Sequence, residues 1–197
     1  MKFIAFVIAL LLPFLALGQA KVNQPAPAFT GKDMTGKAVS LNDLKGKTVV
    51  LEWYNRDCPY VKKHYSSNNM QNLQKELTGK GVIWVTVISS APGKQGHFTA
   101  QQAIDNAKAS ASAATYTLLD EDGKIGKAYE AKTTPHMYVI NPQGVLTYNG
   151  AIDDNDSANP KVIPTSKNYV RAAVESTLAG KPVAEASTKP YGCSVKY

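Results

Sequence analysis

The stretch Leu51–Tyr65, LEWYNRDCPYVKKHY, decides the fold. It begins within an apolar run, Thr48–Tyr54, crosses a short polar turn and reaches Cys58, then Pro59 and a segment of helical character. Proline suits the first helical position, because its missing N–H would have no partner there anyway. Cys58 thus falls between the end of a buried strand and the start of a helix. Free backbone N–H groups and the positive end of the helix dipole favour a thiolate at such a place. The dipole alone contributes about 0.3–1 kcal/mol, less than about one pKa unit. Arg56, Lys62 and Lys63 add positive charge nearby in sequence. A lone cysteine is often only a small buried residue. The strand–Cys–Pro–helix context instead points to a reactive, accessible thiol.

A chain of 197 residues suffices for one domain with a sizeable core. A hydrophobic content of 44% with 19% charged residues fits a globular chain rather than a disordered one. The formal net charge is +7, but the positives are scattered and only Arg56 and Arg171 are arginines. No basic stripe with interleaved aromatics is present, so no nucleic-acid partner is expected. At the N-terminus Lys2 precedes an apolar run, Phe3–Leu17, and then Gly18, Gln19 and Ala20. This is the pattern of a secretory signal peptide, short for a membrane span. The expected organisation is a signal peptide over residues 1–20, a domain over 21–182 and a C-terminal tail over 183–197. The protein is expected to be exported, periplasmic or secreted, with no stable membrane insertion after cleavage. Disulfides persist in such compartments, and Cys58 and Cys193 are the two cysteines available.

Pro25 and Pro27 keep residues 21–30 extended. Asp33–Lys37 reads as a turn and Ala38–Leu41 as a short strand. Thr48–Tyr54 is apolar almost throughout, as in a strand covered on both faces. A helix is expected from Cys58 to about Leu77, weakened at Ser66–Asn69 and stopped by Gly79 and Gly81. Val82–Ser89 is a second central strand, Thr99–Ser110 a helix, and Thr115–Leu119 a third strand. A turn at Asp120–Lys124 leads to a short helix ending near Ala131. His136–Ile140 and Val145–Tyr148 form a hairpin around Asn141–Gly144. Ser166–Leu178 is a helix with Val170, Val174 and Leu178 on one face, ended by Gly180 and Pro182. GKQG at 93–96 does not complete a phosphate loop. The acidic 153–156 segment lacks the glycine and the bidentate glutamate of a calcium loop. The tail after Val183 has no periodicity. Strands alternating with helices imply an α/β fold with a mixed sheet and helices on both faces.

This order, with a cysteine after the main strand and a Thr-Pro before the hairpin, resembles the thioredoxin fold and its three-layer sandwich. The chain is most similar to the redoxins of the alkyl hydroperoxide reductase/thiol-specific antioxidant group, and among them to exported peroxiredoxin-like proteins. The match rests on PAPAF at 25–29, NRDCPYVKKHY at 55–65, SSAPGKQG at 89–96, KTTPHMYVI at 132–140, GAIDD at 150–154 and PYGCSVKY at 190–197. Two departures stand out. Val61 occupies the second cysteine position of Trp-Cys-x-x-Cys, and Asp57 the tryptophan position. Leu51 and Asn55 replace the Pro and Thr of the peroxidatic Pro-x-x-x-Thr-x-x-Cys. The resemblance implies a cis proline at Pro135 lying across from Cys58, with the Thr134 backbone free to pair with an extended chain.

The resulting expectation is a thiol-based oxidoreductase without a cofactor. Cys58 is its nucleophile toward a peroxide or a protein disulfide, and Cys193 its resolving thiol, delivered by a flexible tail. Asn55, Arg56, Pro59, Thr134 and Pro135 position the substrate, and an external thiol is the reductant. His64 and His136 read as surface or packing residues. Two alternatives remain at this point: a permanent Cys58–Cys193 staple, or a soft-metal site built on Cys58 and His64.

Overall fold

The computed structural model describes residues 20–197. The expected signal peptide lies outside the described residues, apart from Ala20. The chain opens with two short antiparallel strands, β1 (Thr30–Asp33) and β2 (Ala38–Ser40), followed by the central strand β3 (Val49–Trp53). Two helices follow, α1 (Pro59–Ser66) and α2 (Asn69–Gly79), then β4 (Ile83–Ile88), α3 (Ala100–Ala109), β5 (Tyr116–Leu119) and α4 (Lys124–Ala128). A two-residue strand, β6 (Thr133–Thr134), precedes the hairpin β7 (His136–Ile140) and β8 (Leu146–Gly150). Helix α5 (Tyr169–Leu178) and a second two-residue strand, β9 (Cys193–Ser194), complete the chain.

Seven strands form one sheet in the order β2-β1-β5-β4-β3-β7-β8, and β6 pairs with β9 apart from it. Strands β3, β4 and β5 run parallel, while β7 lies antiparallel to β3. All five residues of β3 are buried. Val49, Leu51 and Trp53 enter one core, together with Tyr129, Tyr138, Val85 and Val87. Val50 enters the other, where α2 and α5 supply Met70, Leu73, Leu77, Val170 and Val174. A strand with apolar groups on both faces needs a layer on each side of it, which produces the three-layer α/β arrangement.

Three local differences from the sequence reading have physical causes. The helix after Cys58 is two helices. The Ser67 hydroxyl donates to the Lys63 and His64 carbonyls, closing α1, and Asn68 takes a left-handed conformation (φ 58°) that asparagine tolerates. Strand β1 carries no apolar alternation. It exists because both of its edges are paired, with β2 and with β5, and the Asp33 carboxylate fixes the following turn by accepting from the Thr35 and Lys37 amides at 2.9 Å each. The tail, unreadable by periodicity, is docked along its length. Among the described residues no helix is long and apolar enough to cross a membrane.

Candidate active site

Cys58 is the N-cap of α1 and Pro59 stands in the first turn, as the local sequence predicts. The side chain is fully buried. The register Trp53↔His136 brings the end of β3 beside the start of β7, and Thr134–Pro135, joined by a cis bond, sits there. The Cys58 thiol donates to the Thr134 carbonyl at 3.0 Å. Asn55 shapes the turn between β3 and the cysteine. Its carbonyl accepts from the Cys58 amide (3.1 Å) and its Oδ1 from the Asp57 amide (2.9 Å). Its side-chain amide points at the Gln95 carbonyl, and Gly96 passes so close that an added Cβ would strike Asn55. Asn55 is thus bonded to the turn and to the 89–96 loop. Arg56 is exposed, lying over the Phe98 ring at 4.6 Å with Asp57 at 3.7 Å.

The second cysteine arrives from 135 residues downstream through strand pairing. β9 lies antiparallel on β6 with Thr134 opposite Cys193. Gly192 (φ 135°) makes this approach possible, because a Cβ there would collide with the Thr134 carbonyl oxygen. On one side the Thr188 hydroxyl accepts from the Ala151 amide (2.9 Å) and meets the Tyr148 hydroxyl (2.6 Å). On the other, Val195 donates to the Lys132 carbonyl (3.1 Å), and the Tyr197 ring covers Gly126 with its hydroxyl on the Ala131 carbonyl (2.8 Å). The tail is a bound strap, where the sequence suggested a flexible one. Both cysteines are free thiols.

The two sulfurs are driven in opposite directions. Burial works against a Cys58 thiolate. Hydrogen bonds from the Cys193 thiol, the Val61 and Cys193 amides and the Thr134 hydroxyl outweigh it and hold the Cys58 thiol below its ordinary value. Burial, followed by the neighbouring Cys58, pushes Cys193 up to about 11. Of the two thiols, Cys58 is therefore the one that gives up its proton first.

The surroundings correct several sequence expectations. Lys63 adds no open positive charge, because its ammonium is fully buried against Asp153 (3.2 Å) and the Asn155 carbonyl (2.6 Å). His64 and His136 are packing residues and not surface ones. Burial pushes each down to about 4. Both His64 ring nitrogens have protein partners, Tyr191 at 3.2 Å and Asn69 at 2.8 Å, so neither is turned to a metal shared with Cys58. Cys58 is sealed in this state, contrary to the accessible thiol the sequence suggested. Two further features escaped the sequence reading. Glu52, buried mid-strand, accepts from Trp84, Tyr65 and Gln74, and burial pushes it up to about 7. Tyr191 joins the Lys63–Asp153 cluster. A carboxylate within the apolar Thr48–Tyr54 run is a visible signal for Glu52; Tyr191 stands in the PYGCSVKY stretch, but nothing local marks its partners.

A sequence model of the AhpC/TSA family matches residues 22–149, about two thirds of the chain. The chain belongs to the AhpC/TSA family. Its relatives include the thiol-disulfide oxidoreductase ResA of Bacillus subtilis, 31% identical over 119 residues, covering 60% of this chain and 61% of ResA. The chain thus matches less than two thirds of ResA's length. The provisionally named peroxiredoxin bcp of Helicobacter pylori is 31% identical over 144 residues, covering 64% of this chain and 84% of that one. Among solved structures, an uncharacterized conserved protein from Geobacillus kaustophilus superposes with a TM-score of 0.76 at 26% identity, over 90% of this chain and 93% of the other. This AhpC/TSA protein has the thioredoxin-like redoxin fold that its sequence resembles. Tyr191 and Cys193 lie beyond the residues the family model matches, so the strap is argued from its own contacts.

Proposed function

We propose that this AhpC/TSA protein is a thiol-disulfide oxidoreductase in which Cys58 is the nucleophile and Cys193 the resolving thiol of the same chain. One observation carries the reading: β9 pairs with β6 so that Cys193 faces Thr134, whose carbonyl accepts from Cys58. The missing second cysteine of a vicinal pair is thereby replaced from the tail. In the first step the Cys58 thiolate attacks a substrate disulfide, forming a mixed disulfide and releasing one substrate thiolate. Cys193, losing its proton to that thiolate, then attacks the Cys58 sulfur. The Cys58–Cys193 disulfide forms and the second substrate thiol leaves. Two electrons pass from the protein to the substrate, and an external thiol reductant restores them.

Disulfide exchange fits the surroundings better than peroxide reduction. The Asn55 amide is already engaged with Gln95 and Arg56 lies out on Phe98. The described contacts of Cys58 include no free cationic donor to polarise a peroxide. The peroxiredoxin-like relative keeps the second reading in play, with a Cys58 sulfenic acid that Cys193 would condense to the same disulfide with loss of water. Comparing rates with hydrogen peroxide and with a model disulfide tests the choice, and the exchange reading requires the disulfide to react faster. Turnover that survives Cys193→Ser unchanged would remove Cys193 from the mechanism. A Cys58–Cys193 potential below about −300 mV would make the pair a structural staple instead.

We further read residues 1–20 as a removed export signal, 21–182 as the redoxin domain and 183–197 as its strap. The support is the Lys2, Phe3–Leu17 and Gly18–Ala20 pattern. A mature N-terminus at Lys21 is the expected result of sequencing the exported protein.

A further inference from the structure

Cys58 has no exposed surface in this state; core residues such as Val61 and Phe98 enclose it, and the strap adds Cys193 to that enclosure. The only partner of the β6 edge among the described residues is β9. An extended polypeptide that pairs with Thr133–Thr134 therefore competes with residues 193–194 of the chain itself. What holds the strap decides that competition.

A polar hold that reaches a buried ion pair lies two residues before Cys193. The Tyr191 hydroxyl donates to the Asp153 carboxylate and receives from Lys63 Nζ at 3.2 Å, with His64 Nε2 also at 3.2 Å. Lys63 is fully buried and Asp153 nearly so. A buried ammonium and carboxylate need every available polar partner, so withdrawing the phenol leaves both under-satisfied. The ring rests on Tyr60 of α1, with centroids 5.7 Å apart. A cleft of about 490 Å³ runs along this part of the strap, bordered by Asp154, Asp156 and Lys189.

We propose that Tyr191 is a specificity-determining latch: its hydroxyl keeps the strap on the Thr133–Thr134 edge, and its release admits an extended, cysteine-bearing polypeptide to that edge and to Cys58. The inference rests on Cys58 as the reactive thiol. Its test reads access to the sulfur rather than turnover, so failure of the redox reading and failure of the latch are separable. Tyr191 is a positioning residue here. It takes no part in bond making and acts by deciding which chain lies against Cys58.

The test uses the full-length reduced protein in a Cys193→Ser background, so that Cys58 is the only thiol. Adding Tyr191→Phe keeps the ring on Tyr60 but removes the phenol. Loss of one charge-assisted hydrogen bond predicts alkylation of Cys58 by iodoacetamide about tenfold faster or more. Gly192→Ala provides a second route, because its Cβ blocks strand pairing while leaving the Lys63–Asp153 cluster in place. It should accelerate alkylation similarly. Amide exchange should quicken at Cys193–Val195 and stay unchanged at Val85–Val87 in β4. A synthetic peptide of residues 188–197, with serine at the cysteine position, should protect Cys58 of the Tyr191→Phe protein in trans. Alkylation within about twofold of the parent for both variants overturns the proposal. So does acceleration matched by faster exchange throughout β4, which would mean global opening, and so does absence of protection by the peptide.

Discussion

The two cysteines meet at one place but are held by different kinds of structure. Cys58 is fixed by the interior. It caps a helix, follows a five-residue buried strand and rests among Val61, Ile88 and Phe98. Cys193 is fixed by a strap whose holds are local and polar: Thr188 on Gly150 and Tyr148, Tyr191 in the Lys63–Asp153 cluster, and Tyr197 on Gly126. The interior opens only with global unfolding, whereas a strap whose residues are all at least partly exposed opens at lower free energy. A thiol pair built this way has one rigid member and one that can leave, which suits a reaction in which a substrate must come between them.

Four measurements test this contrast. The largest effect is expected at the rigid member. Cys58→Ser should lower disulfide turnover by about a thousandfold or more, whereas Cys193→Ser should still form a trapped mixed disulfide with the substrate. Next, Leu73→Ala, in the α2 face of the core, should cost about 2–5 kcal/mol of global stability in a denaturant titration. That substitution should leave the relative protection of the strap amides untouched.

The third concerns pH. The folded protein keeps the Glu52 proton up to about 7, while the unfolded chain releases it near the ordinary carboxyl value of 4.5. Stability from this group is complete below about pH 4.5 and is lost as pH rises through about 7, a total of about 3 kcal/mol. His64 and His136 act oppositely. Held down to about 4 from 6.5, each contributes fully above pH 6.5 and loses its contribution as pH falls through 4. The difference in unfolding free energy between Glu52→Gln and the parent should therefore shift by about 3 kcal/mol in favour of the variant between about pH 4 and pH 8. A constant difference would contradict the buried, proton-bearing Glu52. The smallest effect belongs to the strap. Thr188→Val removes a hydroxyl that serves Ala151 and Tyr148, and should cost about 1–2 kcal/mol, measured as faster strap exchange.

The same contrast governs what was legible in the sequence. Strands β3 and β4 announce themselves because burial on both faces demands continuous apolar residues, and the Cys58–Pro59 junction follows from helix-start chemistry. Thr99 and Asn168 do cap α3 and α5, within a residue or two of the expected starts. The mixed sheet and the order of the central elements are readable on these grounds, and the redoxin fold from the motifs that carry the family resemblance. Strand β1 was missed because its register comes from two neighbours and not from its own TGKD pattern. The strap was missed for a related reason. Its order arises from glycines that let backbones touch and from single hydroxyls reaching partners far away in sequence, and neither leaves a period. Lys63 looked like an open charge because its partner, Asp153, lies 90 residues on. The count of cysteines in a chain expected to be exported pairs Cys193 with Cys58, but its strand pairing with Thr134 leaves no pattern in the sequence.

The most direct test of the central claim is peptide mapping of the protein after one equivalent of a model disulfide oxidant. The expected product is a monomer in which Cys58 and Cys193 of the same chain are joined and no free thiol is left. A disulfide-linked dimer, or a monomer that retains both thiols while the oxidant is consumed, would contradict it.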